Sequence, residues 1–365
     1  MTPTLRWTLG GAVLTWATLL APPLVLLAWL GGVPAWPWPI LAVPLAPVGF
    51  GLMVRALRGD SALLRRWWMQ AFGLGALLAP IVLVAVPLRA FVGPTALGAL
   101  ALACWLALAV FAHRAARRVH ERVLRVDMPG LGRTLRLVQL SDVHIGSRAP
   151  DSLERLVERV QRIDPDLVVI TGDLVDASDI AEDALASLSR LSMPCLMCLG
   201  NHERYTRLPA TLARIERAGV TVLRDEATRV HGLTVIGLDD RDRPDELSAL
   251  LGGLLPSLPD GPPDRMPDAS APPDAACTLL LYHRPDGWRA ARASGIRLML
   301  AGHTHAGQIW PFALLVRRVY PELVGRFDAD GSTLYVSPGA GTWGPLFRLG
   351  TRSEMTLVEL HDTSA

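Results

Sequence analysis

Residues 134–146 read TLRLVQLSDVHIG, an apolar run that ends in an aspartate and a histidine two positions apart. The run 134–140 predicts a buried strand, because apolar residues dominate it and its length is that of a strand. Four further runs end in polar residues of the same kind. These are 166–171 into Gly172-Asp173, 195–199 into Gly200-Asn201-His202-Glu203, 277–283 into His283, and 296–301 into Gly302-His303-Thr304-His305.

Helical patterns separate these strands. Residues 151–163 read DSLERLVERVQRI, with apolar positions at helical spacing, and further helices are predicted near 179–191 and 209–218. Strands are also predicted near 220–223, 230–238, 307–310, 332–337 and 354–361. Such alternation indicates an α/β domain, in which groups beyond the carboxyl ends of strands face the binding crevice. The polar residues quoted above are therefore expected to converge.

The converging residues are aspartate, histidine and asparagine, which offer enough oxygen and imidazole ligands for two divalent metal ions. Two metals held close together can activate water and neutralise a phosphate, so the pattern points to phosphoester hydrolysis. Imidazole favours Mn²⁺, Fe or Zn²⁺ over Ca²⁺, and the absence of thiolate ligands argues against a structural zinc site. Cys195 and Cys198 form a C-x-x-C, but within a predicted strand they point to opposite faces, which favours packing over metal binding.

The ordered blocks resemble the calcineurin-like metallophosphoesterases, and within them the bacterial membrane-associated branch. The resemblance covers about 134–361 and includes the tail SPGAGTWGPLFRLG at 337–350. It implies a four-layer fold, in which two mixed β-sheets pack face to face with helices outside.

The resemblance also implies a role for each residue. Asp142, His144 and His305 would hold one metal, and Asn201, His283 and His303 the other, with Asp173 bridging both. A hydroxide between the metals would attack phosphorus. His202 would contact the phosphate or protonate the leaving oxygen, and Glu203 would orient the His202 ring. Asp176 is expected to cap the following helix.

The first third of the chain is almost entirely apolar. A helix that crosses a membrane needs about 20 apolar residues. Four segments qualify and together predict a transmembrane bundle: 9–30, 38–56, 68–88 and 91–112. Arginines cluster after the second and fourth segments, which places the N-terminus and the C-terminal domain in the cytoplasm of a multi-pass inner-membrane (cell-membrane) protein.

Residues 113–125 (HRAARRVHERVLR) predict a basic juxtamembrane helix attracted by anionic headgroups. We therefore expect a membrane domain at 1–125 and a catalytic domain at 126–365, with a flexible Pro- and Asp-rich insertion at 252–276. The net charge of +2 and the lack of a basic stripe do not favour nucleic acid as a partner. The expected partners are the bilayer and a phosphorylated substrate.

The nature of that substrate stays open. Residues 309–327 (IWPFALLVRRVYPELVGRF) are unusually apolar for a loop and follow the last motif directly, so they favour a lipid-linked or amphipathic phosphoester or pyrophosphate. One alternative is the same chemistry on a soluble nucleotide or other phosphodiester, with the helices only as a tether. The other is a non-enzymatic membrane scaffold or sensor, which would have no need of the intact ligand set.

Overall fold

The computed structural model describes residues 21–34, 62–242, 246–255 and 277–363. The chain divides into two compact units, one of residues 1–117 with 344–349, and the other of residues 118–343 with 350–365. The predicted span 38–56, the first part of the span 9–30 and most of the insertion 252–276 lie outside the described residues.

The first unit contains three described helices, α1 (Ala21–Leu30), α2 (Ala62–Leu88) and α3 (Pro94–Arg117). They share an apolar core that includes Leu30, Leu78 and Leu97. Within the described residues, Arg66–Leu88 and Pro94–Arg117 are long and apolar enough to cross a membrane. The segment 344–349 belongs to this unit, because its backbone N–H groups at Leu346 and Arg348 donate to the Gln70 side chain and the Ala112 carbonyl.

The second unit contains two six-stranded mixed sheets. The first sheet has the order β1 (Val119–Asp127), β12 (Ser353–His361), β2 (Leu135–Leu140), β3 (Leu167–Thr171), β4 (Cys195–Cys198) and β5 (Thr221–Val222). The second has the order β10 (Gly325–Ala329), β11 (Ser332–Val336), β9 (Leu298–Ala301), β8 (Thr278–Leu281), β7 (Leu233–Gly237) and β6 (Glu226–Val230). The strands β2, β3 and β4 run parallel, as do β7, β8 and β9, so their carboxyl ends lie at one edge of each sheet.

Apolar side chains of both sheets pack against each other. Leu137 and Val169 of the first sheet share a fully buried cluster with Leu281 and Leu300 of the second. Helices cover the outer faces. On the first sheet they are α4 (Asp151–Ile163) and α6 (Leu208–Arg217), and on the second they are α7 (Glu246–Leu254) and α8 (Trp288–Ala293). The short α5 (Asn201–Tyr205) connects β4 to α6. The predicted pair of mixed sheets with helices is confirmed.

Three local predictions were wrong. The basic helix predicted at 113–125 does not form as one helix: α3 ends at Arg117, and the residues from Val119 onward form β1. In β1, Leu124 and Val126 are buried between the sheets while Arg125 points outward. That alternation, with three valines in the strand, favours an extended backbone.

The segment 179–191 forms turns and one 3₁₀ helix at Ala186–Arg190, since Leu185, Leu188 and Leu191 are three apart, the period of that helix. Residues 307–310 cannot continue as a strand, because Gly307 and Gln308 have positive φ. A last helix, α9 (Ala313–Val319), follows them.

Candidate metal centre

The polar residues predicted to converge lie just beyond the carboxyl ends of strands of both sheets. Asp142 and His144 follow β2, Asp173 follows β3, and Asn201 begins α5 after β4. In the second sheet His283 follows β8, and His303 and His305 follow β9. Since these strand ends share one edge of the sandwich, seven residues that are distant in sequence reach one place.

Three overlapping groups, made of six of these residues together with His202, have ligand atoms within 4.8 Å of one another. They are Asp142 with His144 and His305, His144 with Asp173 and His202, and Asp173 with His283 and His303. Asp173 Oδ2 lies 3.1 Å from His283 Nε2 and 3.8 Å from His144 Nε2. Asp173 therefore stands between two sets of imidazoles, as a bridging carboxylate would.

The donor atoms within each set are close enough to share one cation. His144 Nε2 is 3.1 Å from His305 Nε2, and His303 Nδ1 is 3.2 Å from His283 Nε2. The buried amide oxygen of Asn201 has no hydrogen-bond partner in the structure. A buried acceptor with no donor is costly unless a cation takes it, so the residues fit a pair of divalent metals.

Burial and neighbouring charges both shift the pKa values of the residues in the cluster, and burial is the first cause for each. It would lower the pKa of His283, but the facing carboxylate of Asp173 outweighs burial and raises that pKa to about 10. The pKa of Asp173 is held well below its usual range, because the imidazoles of His283, His202 and His144 outweigh its burial. Burial, followed by the neighbouring His283, lowers the pKa of His303 to about 3. Imidazole and carboxylate charges thus stabilise each other across the site.

The backbone at the site is strained. Five of the seven predicted ligands have φ between 49° and 70°, the left-handed region that side chains other than glycine rarely adopt. They are Asp142, His144, Asp173, His303 and His305. Such residues cost about 1–3 kcal/mol each and persist where the surrounding structure over-determines them. The backbone conformation of these loops therefore directs the five side chains into the site.

Glycines allow the loops to approach so closely. A Cβ atom on Gly200 would collide with the carboxylate and backbone nitrogen of Asp173. A Cβ on Gly302 would strike the hydroxyl of Ser141 and the carboxylate of Asp142. The glycines that precede Asn201 and His303 are thus required by their contacts with another motif.

His202 lies at the rim of the cluster, half-buried, with its ring centroid 4.8 Å from that of His144 at 90°. Its backbone N–H donates to Asp173 Oδ1 at 2.9 Å. Burial lowers the pKa of His202 to about 4. Tyr205 and Trp343 stand beside the ring, with centroids 5.6 and 6.4 Å away.

The role expected for Glu203 was wrong in its contacts. Its fully buried carboxylate does not hydrogen-bond the His202 ring but accepts the backbone N–H groups of Asp173, Val175 and Gly200 at 2.9–3.0 Å. Burial, followed by the charge of Asp173, raises its pKa to about 7. Glu203 thus ties the loop after β3 to the loop after β4.

Three supporting contacts have no motif in the sequence. The Tyr320 hydroxyl lies 3.0 Å from His303 Nε2, on the side of the ring away from His283. The Thr171 carbonyl lies 2.8 Å from His283 Nδ1. Asp176 does not cap a helix: its Oδ2 lies 3.4 Å from His144 Nδ1, and its carboxylate accepts the Ser147 backbone N–H. The first two contacts would fix the orientation and tautomer of a ring, as partners of metal-binding histidines do. The third places a negative charge beside the His144 ring.

Comparison with known proteins places these motifs in a family. A sequence model described as calcineurin-like phosphoesterase matches residues 135–307. A protein of Helicobacter pylori strain J99 named "Uncharacterized metallophosphoesterase" is 33% identical over 252 residues, which cover 67% of this chain and 64% of that protein. One of the same name from Aquifex aeolicus is 30% identical over 250 residues, or 67% of this chain and 91% of the relative.

A Bos taurus protein named "Transmembrane protein with metallophosphoesterase domain" is 32% identical over 259 residues, which cover 64% of this chain and 54% of that protein. The matches thus span less than two thirds of the length of the Helicobacter and Bos relatives.

Proposed function

Because the chain belongs to the calcineurin-like metallophosphoesterases, we propose that it is a metal-dependent phosphoester hydrolase that is anchored in a membrane and cleaves a lipid-linked or amphipathic phosphoester or pyrophosphate. The observation that supports the chemistry is the position of Asp173, which belongs to two of the three buried ligand groups. We assign one metal to Asp142, His144 and His305, and the other to Asn201, His283 and His303. The Asp173 carboxylate lies between the two sets and would be shared by both metals.

When bound, a pair of divalent metals supplies activated water and neutralises the charge of the phosphate. The chain's own residues do the rest. His202 is the catalytic residue at the rim, where its ring contacts the phosphate or gives a proton to the leaving oxygen. Glu203 positions Asp173 and the residues from Gly200 onward by holding their backbone N–H groups.

The surroundings of the site support an amphipathic substrate. The exposed aromatic rings of Trp343 and Tyr205 flank His202, and the helix α9, with several exposed apolar side chains, follows the loop that carries His305. The two long apolar helices of the first unit and the name of the Bos taurus relative support a membrane anchor. The proposal extends to four spans, an inner-membrane location and a cytoplasmic catalytic unit.

The chemistry is tested with full-length protein in detergent, assayed with Mn²⁺ against a soluble aryl phosphodiester. Asp173→Asn keeps the size of the side chain and tolerates the positive φ, but removes the shared charge. We expect turnover to fall about a thousandfold, or ~4 kcal/mol of barrier, with weaker metal retention. Asp164→Asn is the matched control, an exposed aspartate with φ 49° outside the site. Equal activity of the two variants would refute the bridging role.

The substrate class is tested by treating lipid extracts with the wild-type enzyme and with Asp173→Asn. Loss of a phosphorylated lipid only with the wild-type enzyme supports an amphipathic substrate. Unchanged lipids beside turnover of soluble nucleotides would favour the alternative, in which the helices only tether the enzyme.

A further inference from the structure

The segment after the last ligand motif has an outward face that is apolar and basic. Trp310, Leu314, Leu315 and Val319 are exposed by 52%, 60%, 55% and 69%, and Arg317 and Arg318 are exposed between them. We call these six residues the α9 face. Leucines and valines scattered singly on a surface need no explanation, but four large apolar groups on one short segment mark an interaction site.

This exposure is not that of a loose loop. Ile309 and Leu323, which flank the segment, are buried, and the Thr304 hydroxyl donates to the Leu323 carbonyl at 2.6 Å. Phe312 and Val316 turn inward and are partly buried. The inner side of α9 therefore packs against protein, and among the described residues the outer face has no protein covering it.

Helix α9, which carries this face, lies against the metal-centre loops. A Cβ atom on Gly307, two residues after His305, would collide with the backbone of Ala313 in α9. At the other end of the helix, the Tyr320 hydroxyl lies 3.0 Å from His303 Nε2. Whatever binds the α9 face is thus held next to the site where phosphate is hydrolysed.

The chemistry of the face identifies its occupant. The six residues of the face carry two positive charges and no negative charge, which makes the face complementary to an anionic surface. Within the described residues neither Arg317 nor Arg318 is held in an ion pair. Apolar groups flanked by arginine, with tryptophan at the boundary, suit the headgroup region of an anionic bilayer.

We propose that the α9 face docks onto an anionic bilayer surface and so presents the metal centre to phosphates at the headgroup level. The inference rests on the membrane anchoring proposed above, since helices α2 and α3 would keep the second unit close to a bilayer. Docking gives the enzyme access to substrates that remain in the membrane.

The test uses full-length protein in bilayer discs that hold one copy each. In a Cys104→Ser background, Leu315→Cys is labelled with an environment-sensitive fluorophore. The remaining cysteines are buried, and burial raises the pKa of the Cys195 thiol to about 12, so they resist labelling. Acyl chains that carry a quencher near the headgroup report contact of the probe with lipid.

In discs with about a third phosphatidylglycerol, we expect strong quenching and blue-shifted emission at position 315, and less of both in pure phosphatidylcholine. The double change Arg317→Gln, Arg318→Gln should lower the ratio of docked to undocked molecules about 30-fold in the anionic discs. The matched control is Glu158→Cys on α4, an exposed position on a polar face, which should remain unquenched in both.

Equal quenching at positions 315 and 158 would overturn the proposal. The proposal would also be overturned if quenching at position 315 changed neither with the phosphatidylglycerol content nor with the substitution of the two arginines. Blue-shifted emission without lipid quenching would place protein against α9, and would overturn it as well.

The readout does not depend on catalysis. If the protein docks but hydrolyses nothing, the proposed function fails while this inference stands. If it hydrolyses a soluble aryl phosphodiester but never docks, the reverse holds. The double arginine variant should keep full activity on that soluble substrate, because neither arginine is among the residues assigned to the reaction.

Discussion

The metal-centre loops and the α9 face depart in opposite directions from the usual distribution of side chains. The loops bury aspartate and histidine almost completely, and the α9 face exposes leucine, valine and tryptophan to solvent. Buried polar groups and exposed apolar patches are the informative exceptions in a folded protein. The segment His305–Gly307 connects the two regions, so the buried polar groups lie next to the exposed apolar ones.

The difference lies in what each region requires to be stable. The loops are strained and charged, and they persist because neighbouring backbone groups and facing charges hold them in place. The outer side of α9 receives no such support from the part of the chain that the structure describes. In our proposals, one region is completed by small cations and the other by a membrane. The following predictions test this contrast, from the largest expected effect to the smallest.

His202→Ala should lower turnover by about 10²–10⁴-fold with little loss of bound metal, because the ring stands at the rim and general acid–base groups contribute that much. Turnover of an aryl phosphodiester and metal content by elemental analysis would be measured on the same preparation. His361→Ala at the end of β12 is the control. Wild-type turnover in His202→Ala would show that the His202 ring takes no part in the reaction.

Tyr320→Phe should weaken metal affinity by about 10–100-fold, because a partner on the far nitrogen of a metal-binding histidine contributes that much. Metal titration of the full-length protein measures the effect. Tyr335→Phe is matched, since its hydroxyl bonds Glu354 rather than a ligand histidine. If both variants bind metal equally well, the Tyr320 hydroxyl does not support the metal centre.

Glu203→Gln should destabilise the loops by about 1–3 kcal/mol, because an amide cannot accept three backbone N–H groups with its one oxygen. Hydrogen exchange at residues 173–175 and 200 should quicken, and the apparent melting temperature should fall. Glu216→Gln, exposed on α6, is the control. Unchanged exchange at these amides would show that other contacts hold the loops.

The sequence predicted the metal centre well because each ligand is fixed by local information. A buried strand followed by glycine and a polar residue predicts where that residue lies, and parallel strands bring such residues to one edge. Six of the seven predicted ligands have side-chain atoms within 4.8 Å of others in one group, and Asp173 lies between the two sets. The seventh, Asn201, begins α5 directly after Gly200, whose backbone packs against Asp173. Their role in binding metal remains a prediction.

The supporting contacts could not be predicted because they depend on geometry between distant segments. Nothing near Tyr320 indicates that its hydroxyl meets His303, and the contacts of Glu203 depend on how two loops cross. The error at 113–125 is of another kind. Arginine and alanine favour helix locally, but pairing with β12, more than 230 residues later, imposes a strand.

Leu315→Ala should change the free energy of unfolding by less than about 0.5 kcal/mol, because the side chain has little protein around it to lose. Leu300→Ala, fully buried between the sheets, should cost about 2–5 kcal/mol and gives the matched comparison. Apparent melting temperatures of the full-length variants in one detergent would compare them. A similar loss in both would mean that Leu315 is packed against protein, and the contrast between the metal centre and the α9 face would no longer hold. With Leu315→Ala stable, any defect that it shows in bilayers must arise from what the exposed face meets there.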